Sequence, residues 1–250
     1  MERKKIALIT GATSGMGRQF VLQIQEAATW LDEIWAIARK QEELEKLQRE
    51  VEGIRIFSMN LTNREDLKKL QNLLAEEQPE LEFLVNSAGA GVQKKIEDTA
   101  ISDLWNMTQL NVSALTAVTG ICLPYCKKGC QVLCLASGAA FVPQPGFAVY
   151  AATKSYVLSF SRALRKEWQG RLTVTAVCPG PVDTPFLEKM GGKDRMPSYK
   201  KWFLAKPEAV VRKALKDSRK GKELSVYGSS VKALRVLCKI LPHRLIINFL

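Results

Sequence analysis

Residues 6–17 read Ile6-Ala7-Leu8-Ile9-Thr10-Gly11-Ala12-Thr13-Ser14-Gly15-Met16-Gly17. The apolar residues at the start predict a short buried strand, and a segment with apolar residues at helical spacing follows the last glycine. Gly11 permits a sharp exit from the strand, Gly15 lets backbone N–H groups approach a pyrophosphate, and Gly17 lets the helix pack closely on the strand. This placement predicts a dinucleotide site; the alternative is a glycine-rich turn without a ligand.

Strand and helix patterns alternate along the rest of the chain. Apolar runs typical of strands occur at 6–10, 34–38, 54–58, 83–86, 132–136, 173–177 and 224–227, and helical spacing occurs at 15–28, 41–50, 64–77, 101–126, 150–169 and 207–220. The alternation predicts an α/β fold, a Rossmann-like, doubly wound, mostly parallel seven-stranded sheet with helices on both faces. No linker or repeat interrupts the pattern, so residues 1–250 are expected to form a single domain.

The composition limits the possible chemistry and partners. The chain has 37 Lys and Arg against 25 Asp and Glu, a formal charge of +12, which favours anions such as phosphorylated cofactors, acidic carrier proteins or anionic lipid. The cations are scattered and no nucleic-acid-binding motif is present, so no nucleic-acid partner is predicted. His243 is the only histidine, which argues against a histidine-based triad or metal centre.

The start of the chain and the cysteines indicate the compartment. The basic residues after Met1 are followed by too short an apolar run for a signal peptide, and no apolar run approaches the ~20 residues that span a bilayer. Six cysteines without a leader suggest free thiols, so a soluble, cytoplasmic protein is predicted. Cys122, Cys126, Cys130 and Cys134 recur every four residues, but Gly129 is expected to separate a helix end from a strand. No metal site is therefore predicted.

Tyr150 and Lys154 form the strongest candidate for catalysis. They are four residues apart at the start of a predicted helix, so their side chains share a face. An ammonium beside a phenol favours the phenolate, and the pKa of Tyr150 is expected to fall from ~10 toward neutrality, as a general acid/base requires. The alternative for Tyr150 is a structural role as an amphipathic core residue, and the alternative for Ser137, which follows the fifth predicted strand, is a strand cap.

Thr10 to Gly17 resembles the cofactor motif of the classical short-chain dehydrogenases/reductases. The resemblance continues in order and spacing, from residue 5 to about residue 227, through Asn86-Ser87-Ala88-Gly89, Asn111, Ser137, Tyr150-x-x-x-Lys154 and Pro179-Gly180. It implies that Tyr150 is the acid/base, that Ser137 polarises a substrate carbonyl and that Asn111 holds a water linked to Lys154. It also implies a homodimer or homotetramer that associates through helices 101–126 and 150–169.

The residues after the second strand indicate which nicotinamide cofactor binds. The position where NAD sites usually carry a carboxylate is Ala38, and Arg39 and Lys40 follow it. A guanidinium can bind a 2′-phosphate bidentately, so NADP(H) is predicted; a solvated surface charge is the alternative for Arg39. By resemblance, Asn60 stands where the family usually contacts adenine with Asp, and Ser87 replaces a frequent second Asn. The predicted cofactor-binding residues are Gly11, Thr13, Ser14, Gly15, Met16, Gly17, Arg39, Asn60, Leu61, Asn86, Ala88, Gly89, Tyr150, Lys154, Pro179, Gly180, Val182 and Thr184.

Two segments lie outside the strand and helix alternation. Residues 185–206 are too apolar for a plain solvent loop and predict a substrate lid, in which Lys193 and Arg195 could meet an acidic group; a helical pair packed on the sheet is the alternative. The tail, 229–250, alternates apolar and cationic residues at helical spacing. It predicts either a helix packed by the substrate pocket or subunit interface, or a peripheral contact with an anionic membrane.

These features together predict an NADP(H)-dependent oxidoreductase that interconverts a ketone and a secondary alcohol. Ala139-Ala140-Phe141-Val142-Pro143 beside Ser137 and the aromatic lid favour a bulky apolar small molecule, of the hydroxysteroid, bile-acid or 3-oxoacyl type. The alternative is a non-catalytic NADP(H)-binding regulatory module or a membrane-docked module.

Overall fold

Seven parallel strands form one sheet in the computed structural model, which describes residues 3–190 and 204–248. The strands are β1 Lys5–Thr10, β2 Glu33–Ala38, β3 Ile54–Ser58, β4 Glu80–Asn86, β5 Cys126–Leu135, β6 Thr173–Pro179 and β7 Leu224–Tyr227. Their order in the sheet is β3-β2-β1-β4-β5-β6-β7, and every neighbouring pair is parallel. The predicted doubly wound fold is confirmed, with the change in winding direction between β1 and β4.

The helices cover both faces of this sheet. They are α1 Gly15–Ala27, α2 Gln41–Glu50, α3 Arg64–Glu77, α4 Ile101–Thr108, α5 Leu115–Cys122, α6 Ala148–Glu167, α7 Pro185–Lys189, α8 Pro207–Arg219, α9 Ser229–Ile240 and α10 His243–Ile247. Within the described ranges, no helix has the length and apolar character needed to cross a bilayer.

Alternate residues of each strand enter different core layers, because successive side chains point to opposite faces. Ile6 and Leu8 of β1 belong to a core that α3, α5 and α6 complete. Ala7 and Ile9 belong to the core on the other face, which α1, α2 and α8 complete. Burial on both faces explains why the strands read as continuous apolar runs in the sequence.

The long helix predicted over 101–126 is divided in the structure, and this prediction is wrong. A π-helical turn, Gln109–Ala114, separates α4 from α5, and a 3₁₀ turn, Leu123–Tyr125, follows α5. Cys126 is already the first residue of β5. The apolar spacing of a π turn differs too little from that of an α-helix to be seen in the sequence.

Strand β5 begins at Cys126, six residues before its predicted start at Val132. Its first part was not predicted because a bulge interrupts the regular strand pattern there. Leu81 of β4 pairs with Cys126, whereas Phe83 pairs with Gln131. Gly129 lies in this bulge with φ 93°, and its N–H donates to the carbonyl oxygen of Arg171 at 2.7 Å. Gly129 therefore lies inside the strand and does not separate a helix from it, contrary to the prediction.

The cysteine series lies in the core. Cys126, Cys130 and Cys134 share the same buried face of β5, and Cys122 is buried at the end of α5. Burial raises the pKa of the Cys122 thiol well above its ordinary value, which keeps the thiol protonated. Among residues 3–190 and 204–248, no group of three or more His, Cys, Asp or Glu side chains could hold a metal ion.

The predictions for the two segments outside the alternation, 185–206 and 229–250, fare differently. Residues 191–203, which include Lys193 and Arg195, lie outside the described residues, so most of the predicted lid does too. Near the end of the segment, Ala205 pairs with the loop after β6, since its N–H donates to Pro181 O and its carbonyl oxygen accepts from Asp183 N–H, both at 2.9 Å. The tail forms α9 and α10.

Candidate active site

The glycine turn after β1 has the backbone form that its sequence predicts. Gly11 has φ 65°, and a Cβ there would lie 2.9 Å from the backbone of Ala88. A Cβ on Gly17 would lie 2.0 Å from the carbonyl oxygen of Gly11, so only glycine lets α1 start this close to the turn. Gly15 has φ 52° and lies against Thr184, which brings the turn beside the loop after β6.

The N-terminus of α1 is built to accept an anion. Ser14 is the N-cap residue in an extended conformation, and its side chain makes no capping hydrogen bond. The first turn of α1 holds no acidic residue, whereas those of α2 and α3 hold Glu42 and Glu65, among others. Unpaired N–H groups and the helix dipole therefore face the groove without a carboxylate that would compete with a phosphate.

Buried polar residues fix the end of β4 beside the turn. Thr10 Oγ1 accepts hydrogen bonds from the N–H groups of Ser87 and Ala88, both at 3.1 Å. Asn86 is buried, and its Nδ2 donates to Thr119 Oγ1 of α5 at 3.0 Å. Asn86 thus ties β4 to α5.

Tyr150 and Lys154 lie on the first turns of α6 with their side chains buried. The ring of Tyr150 stacks on Phe147 with centroids 4.3 Å apart and lies 5.9 Å from the ring of Phe186. Lys154 Nζ lies 5.6 Å from the Tyr150 ring centroid and donates to the carbonyl oxygen of Leu135 at 2.8 Å. The predicted shared face is present, and both residues border one cavity.

The pKa values of this pair depart from the expectation. Burial raises the pKa of the Tyr150 phenol to about 12, and hydrogen bonding with the Ser137 side chain opposes this rise. Burial also lowers the pKa of Lys154 to about 8. The expected fall in the phenol pKa is therefore wrong for this structure, because desolvation penalises both charged forms and the ammonium is bound to Leu135.

Ser137 and Asn111 are fixed by different hydrogen bonds. Ser137 caps the 3₁₀ turn Gly138–Phe141, where its Oγ accepts from the N–H of Ala139 at 3.1 Å. Asn111 lies in the π-helical turn; its Oδ1 accepts from Ala90 N–H at 2.8 Å, and its Nδ2 donates to Ala90 O and to Thr153 Oγ1. Because the amide is committed to these partners, a water-holding role for Asn111 stays a prediction.

One cavity of about 410 Å³ brings most of the predicted site together. The predicted residues that line it are Gly11, Ser14, Gly15, Met16, Ala88, Gly89, Ser137, Tyr150, Lys154, Pro179, Gly180, Val182 and Thr184. Thr13, Gly17, Arg39, Asn60, Leu61, Asn86 and Asn111 are not among the lining residues. Gly17, Asn86 and Asn111 support the wall from behind through the contacts given above.

The predicted adenosine-binding residues lie beyond the cavity. Arg39 is exposed directly after β2, and its carbonyl oxygen accepts from Ser58 Oγ at 3.1 Å. Asn60 is exposed after β3, with Oδ1 bound to the N–H and hydroxyl of Thr62. Both follow strands that end at the same edge of the sheet as β1, where ligands of doubly wound folds bind.

The apolar wall of the cavity was predicted only in part, since the lid predicted over 185–206 includes Phe186, Leu187 and Met190 but no pattern singled out Phe147 or the residues of α9 that contribute to this wall. Phe147, Phe186, Leu187 and Met190 line it, together with Ser230, Val231 and Leu234 of α9. Phe141, used to predict a bulky substrate, instead packs on the core. Residues at the start of α7 and α9 come from distant parts of the chain, and no local pattern marks their shared cavity.

The tail helix α9 is anchored at this cavity. A Cβ on Gly138 or on Gly180 would lie 2.9 Å from a methyl group of Val231, which is buried. Two positions were predicted for the tail, one packed by the substrate pocket or subunit interface and one on an anionic membrane. The buried side of α9 packs by the pocket.

Comparison with known proteins identifies the family. A family model described as short chain dehydrogenase matches residues 5–194. The chain belongs to the short-chain dehydrogenase family. Sulfoacetaldehyde reductase 2 of Chromohalobacter salexigens is 33% identical over 201 residues, which cover 75% of this chain and 77% of that protein. The 3-oxoacyl-(acyl-carrier-protein) reductase of Thermotoga maritima is 29% identical over 219 residues, 83% of this short-chain dehydrogenase and 87% of the relative.

Solved structures of short-chain dehydrogenases also align over most of the chain. A serine dehydrogenase complexed with NADP⁺ has a TM-score of 0.76 and 25% identity, covering 90% of this chain and 95% of that one. A 3-ketoacyl-(acyl-carrier-protein) reductase from Brucella melitensis complexed with NADH has a TM-score of 0.74 and 25% identity, with the same coverage.

Proposed function

We propose that this short-chain dehydrogenase uses NADP(H) to interconvert a ketone and a secondary alcohol on a bulky apolar substrate. The observation that carries the proposal is the position of Tyr150 and Ser137. They border a cavity that runs from the glycine turn to an apolar wall. A proton donor, a carbonyl-binding hydroxyl and a dinucleotide cradle are thereby next to one another.

The proposed cofactor fits the groove and the charge at its end. Gly11, Gly15 and Gly17 permit a tight turn against Ala88, Thr184 and the helix start, and the N-terminus of α1 that follows this turn would bind a pyrophosphate. Arg39 after β2 supports NADP(H) over NAD(H), because a guanidinium attracts a 2′-phosphate. The aligned solved structures include one NADP⁺ complex and one NADH complex. The proposed preference for NADP(H) over NAD(H) therefore rests on Arg39.

The chain's own groups handle the proton and the carbonyl oxygen. When bound, the nicotinamide would deliver hydride to the carbonyl carbon, or take it from the alcohol in the reverse direction. Tyr150, with a pKa of about 12, holds its proton at neutral pH and would donate it to the carbonyl oxygen during reduction. Ser137 would hold the same oxygen by a hydrogen bond, and the Lys154 ammonium would stabilise the phenolate left on Tyr150.

The wall residues support a bulky apolar substrate. Phe147, Phe186, Leu187, Met190 and Leu234 offer apolar surface, and the volume of about 410 Å³ falls within the range of ~300–1,000 Å³ typical of small-molecule sites. A ring system or an acyl chain would bury well there. The relatives include a 3-oxoacyl reductase and an 11-beta-hydroxysteroid dehydrogenase-like protein, and both names agree with this class.

We also propose self-association through α4 and α6 into a homodimer or homotetramer. Ile101 and Trp105 of α4 are 79% and 66% exposed, and Tyr156 of α6 is exposed as well. Exposed large apolar side chains that are grouped on two helices indicate an interaction surface. Light scattering of the wild type and of Trp105→Glu tests it, and a monomeric wild type would refute it.

A substrate screen tests the proposed reaction. Oxidation of NADPH or NADH is followed by absorbance with steroid ketones, 3-oxoacyl thioesters and short ketones. We expect turnover with the bulky ketones and a lower KM for NADPH than for NADH. Tight NADPH binding without turnover of any carbonyl or alcohol would instead support a non-catalytic binding module.

A further inference from the structure

The tail helix α9 has two apolar faces, and only one of them is covered. Val231 is buried and Leu234 lines the cavity, so this face packs on the protein. Val236 and Ile240 are 55% and 72% exposed, and with Leu237 they form the opposite face of the same helix. A helix that is apolar on both sides needs a second apolar surface to cover it.

The exposed apolar residues of the tail form a concentrated patch. Ten large apolar side chains are exposed among the described residues, and five of them lie between residues 236 and 245. These five, Val236, Leu237, Ile240, Leu241 and Leu245, are called the tail patch. Half of these exposed apolar side chains thus lie in a ten-residue segment that follows the cavity-lining residues of α9.

Cations border the tail patch and no carboxylate lies near it in sequence. Lys232, Arg235 and Lys239 recur at spacings of three and four residues, so they form a stripe along one side of α9. Arg244 follows in α10, and the chain has no Asp or Glu after Glu223. This arrangement matches a helix that lies in the plane of a bilayer, with apolar side chains among the acyl chains and cations at anionic headgroups.

The same charge pattern disfavours a second copy of the chain as the partner. A two-fold contact through the tail patch would bring identical cationic stripes close together without carboxylates from this segment to pair with them. An anionic lipid surface supplies both the apolar cover and the opposite charge.

We propose that α9 and α10 dock this protein on anionic membranes through the tail patch. The docked helix is also a wall of the active-site cavity, since Ser230, Val231 and Leu234 line it. Docking would therefore place the cavity beside the lipid, where an apolar substrate is concentrated. This consequence for substrate supply rests on the proposed function, whereas docking itself does not.

Vesicle flotation tests the docking directly. Full-length protein is mixed with vesicles of phosphatidylcholine, or of phosphatidylcholine with 30% phosphatidylglycerol, at low and high salt. We expect flotation with the anionic vesicles only, and its loss at high salt, because the Debye length falls from about 10 Å at 0.1 M to 3 Å at 1 M. Lys232→Glu/Lys239→Glu should reduce partitioning by at least about tenfold, and Val236→Ser/Ile240→Ser should also reduce it.

Matched controls distinguish a loss of docking from the effect of a changed net charge and from misfolding. Lys68→Glu/Lys216→Glu changes the net charge equally on exposed positions of α3 and α8 and should float like the wild type. NADPH binding and thermal melting should be unchanged in the tail variants. Absence of flotation for the wild type, or equal loss in the control variant, overturns the proposal. The proposal is also overturned if the protein forms an oligomer without lipid and Ile240→Ser dissociates that oligomer, because the tail patch would then bind a second copy of the chain. Flotation without any turnover would leave docking intact and refute only the proposed function.

Discussion

Lys154 Nζ donates a hydrogen bond of 2.8 Å to the main-chain carbonyl oxygen of Leu135, the last residue of β5. This bond holds the amine beside Tyr150 in surroundings that penalise its charge, and the pKa of Lys154 falls from 10.5 to about 8. The unfolded chain has no such penalty. A buried cation at the site therefore costs stability, as is common for functional groups.

We expect Lys154→Met to stabilise the fold while it removes activity. Below pH 8 the folded state must carry a desolvated ammonium, so the substitution should raise the free energy of unfolding by about 1–2 kcal/mol after the lost Leu135 bond is counted. Between pH 8 and 10.5 the unfolded wild type holds more protons than the folded one, so wild-type stability rises with pH. Urea unfolding at pH 7 and pH 9.5 should therefore show a smaller difference at the higher pH. A destabilised variant at pH 7 would contradict this account.

Tyr150→Phe is expected to lower kcat by about 10²–10⁴-fold, the usual contribution of a positioned proton donor. NADPH affinity should change little, because the ring and its stacking on Phe147 are retained. Tyr156→Phe is the matched control on the same helix, since its hydroxyl pairs with Thr116 Oγ1 at 2.9 Å, away from the cavity. Stopped-flow turnover with a ketone found in the screen measures both. Wild-type kcat in Tyr150→Phe would refute the assignment of the acid.

Gly17→Ala should destabilise the protein by at least about 3 kcal/mol. The new Cβ would lie 2.0 Å from the carbonyl oxygen of Gly11, and neither backbone can move without opening the turn. Gly120→Ala on α5 is the matched control, because a Cβ there meets no atom within 4 Å in the part of the chain that the structure describes. The Gly120→Ala variant should have a free energy of unfolding up to about 1 kcal/mol higher than the wild type, because Ala has the higher helix propensity. Equal urea midpoints for the two variants would show that the close approach at Gly17 is absent.

Arg39→Asp should weaken NADPH binding by at least about tenfold and improve NADH binding. The substitution removes a charge-assisted contact and places a carboxylate where a 2′-phosphate would be repelled but a ribose hydroxyl accepted. Arg49→Asp makes the same charge change at the other end of α2 and serves as the control. Fluorescence titration with both nucleotides measures the dissociation constants. An unchanged ratio of NADPH to NADH affinity would mean that Arg39 is only a solvated charge.

The sequence predicted the parts of the site that local chemistry dictates. Gly11 and Gly17 were predictable because a tight turn before a packed helix excludes every other residue, and Tyr150 with Lys154 because helical spacing places them together. The pKa shifts were not, since they depend on burial, to which Phe186 of α7 contributes from a distant part of the chain. The bulge at Gly129 was missed because the pairing of β5 with β4 sets it, and the break at Gln109–Ala114 because a π turn keeps nearly the apolar spacing of an α-helix.

Gly180→Ala tests whether the tail helix is coupled to the site. Among the described residues, a Cβ on Gly180 meets one atom within 4 Å, Val231 Cγ2 at 2.9 Å, and the backbone has no left-handed φ that requires glycine. The single variant should therefore push α9 from the cavity and lower both stability and NADPH affinity. Val231→Ala removes the clashing methyl group. In the double variant, Gly180→Ala should therefore cost much less free energy of unfolding than it costs in the wild type. We expect a coupling free energy of about 1–2 kcal/mol between the two substitutions.

Gly138→Ala is the comparison for this cycle. Its Cβ would meet Val231 Cγ1 at 2.9 Å but also the carbonyl oxygen of Pro179 at 3.3 Å, so Val231→Ala should rescue it less completely. Thermal melts and NADPH titrations of the single and double variants give the two coupling energies. Additive effects of Gly180→Ala and Val231→Ala would mean that α9 does not press on the loop after β6. In that case the tail would not be a wall of the substrate cavity in solution.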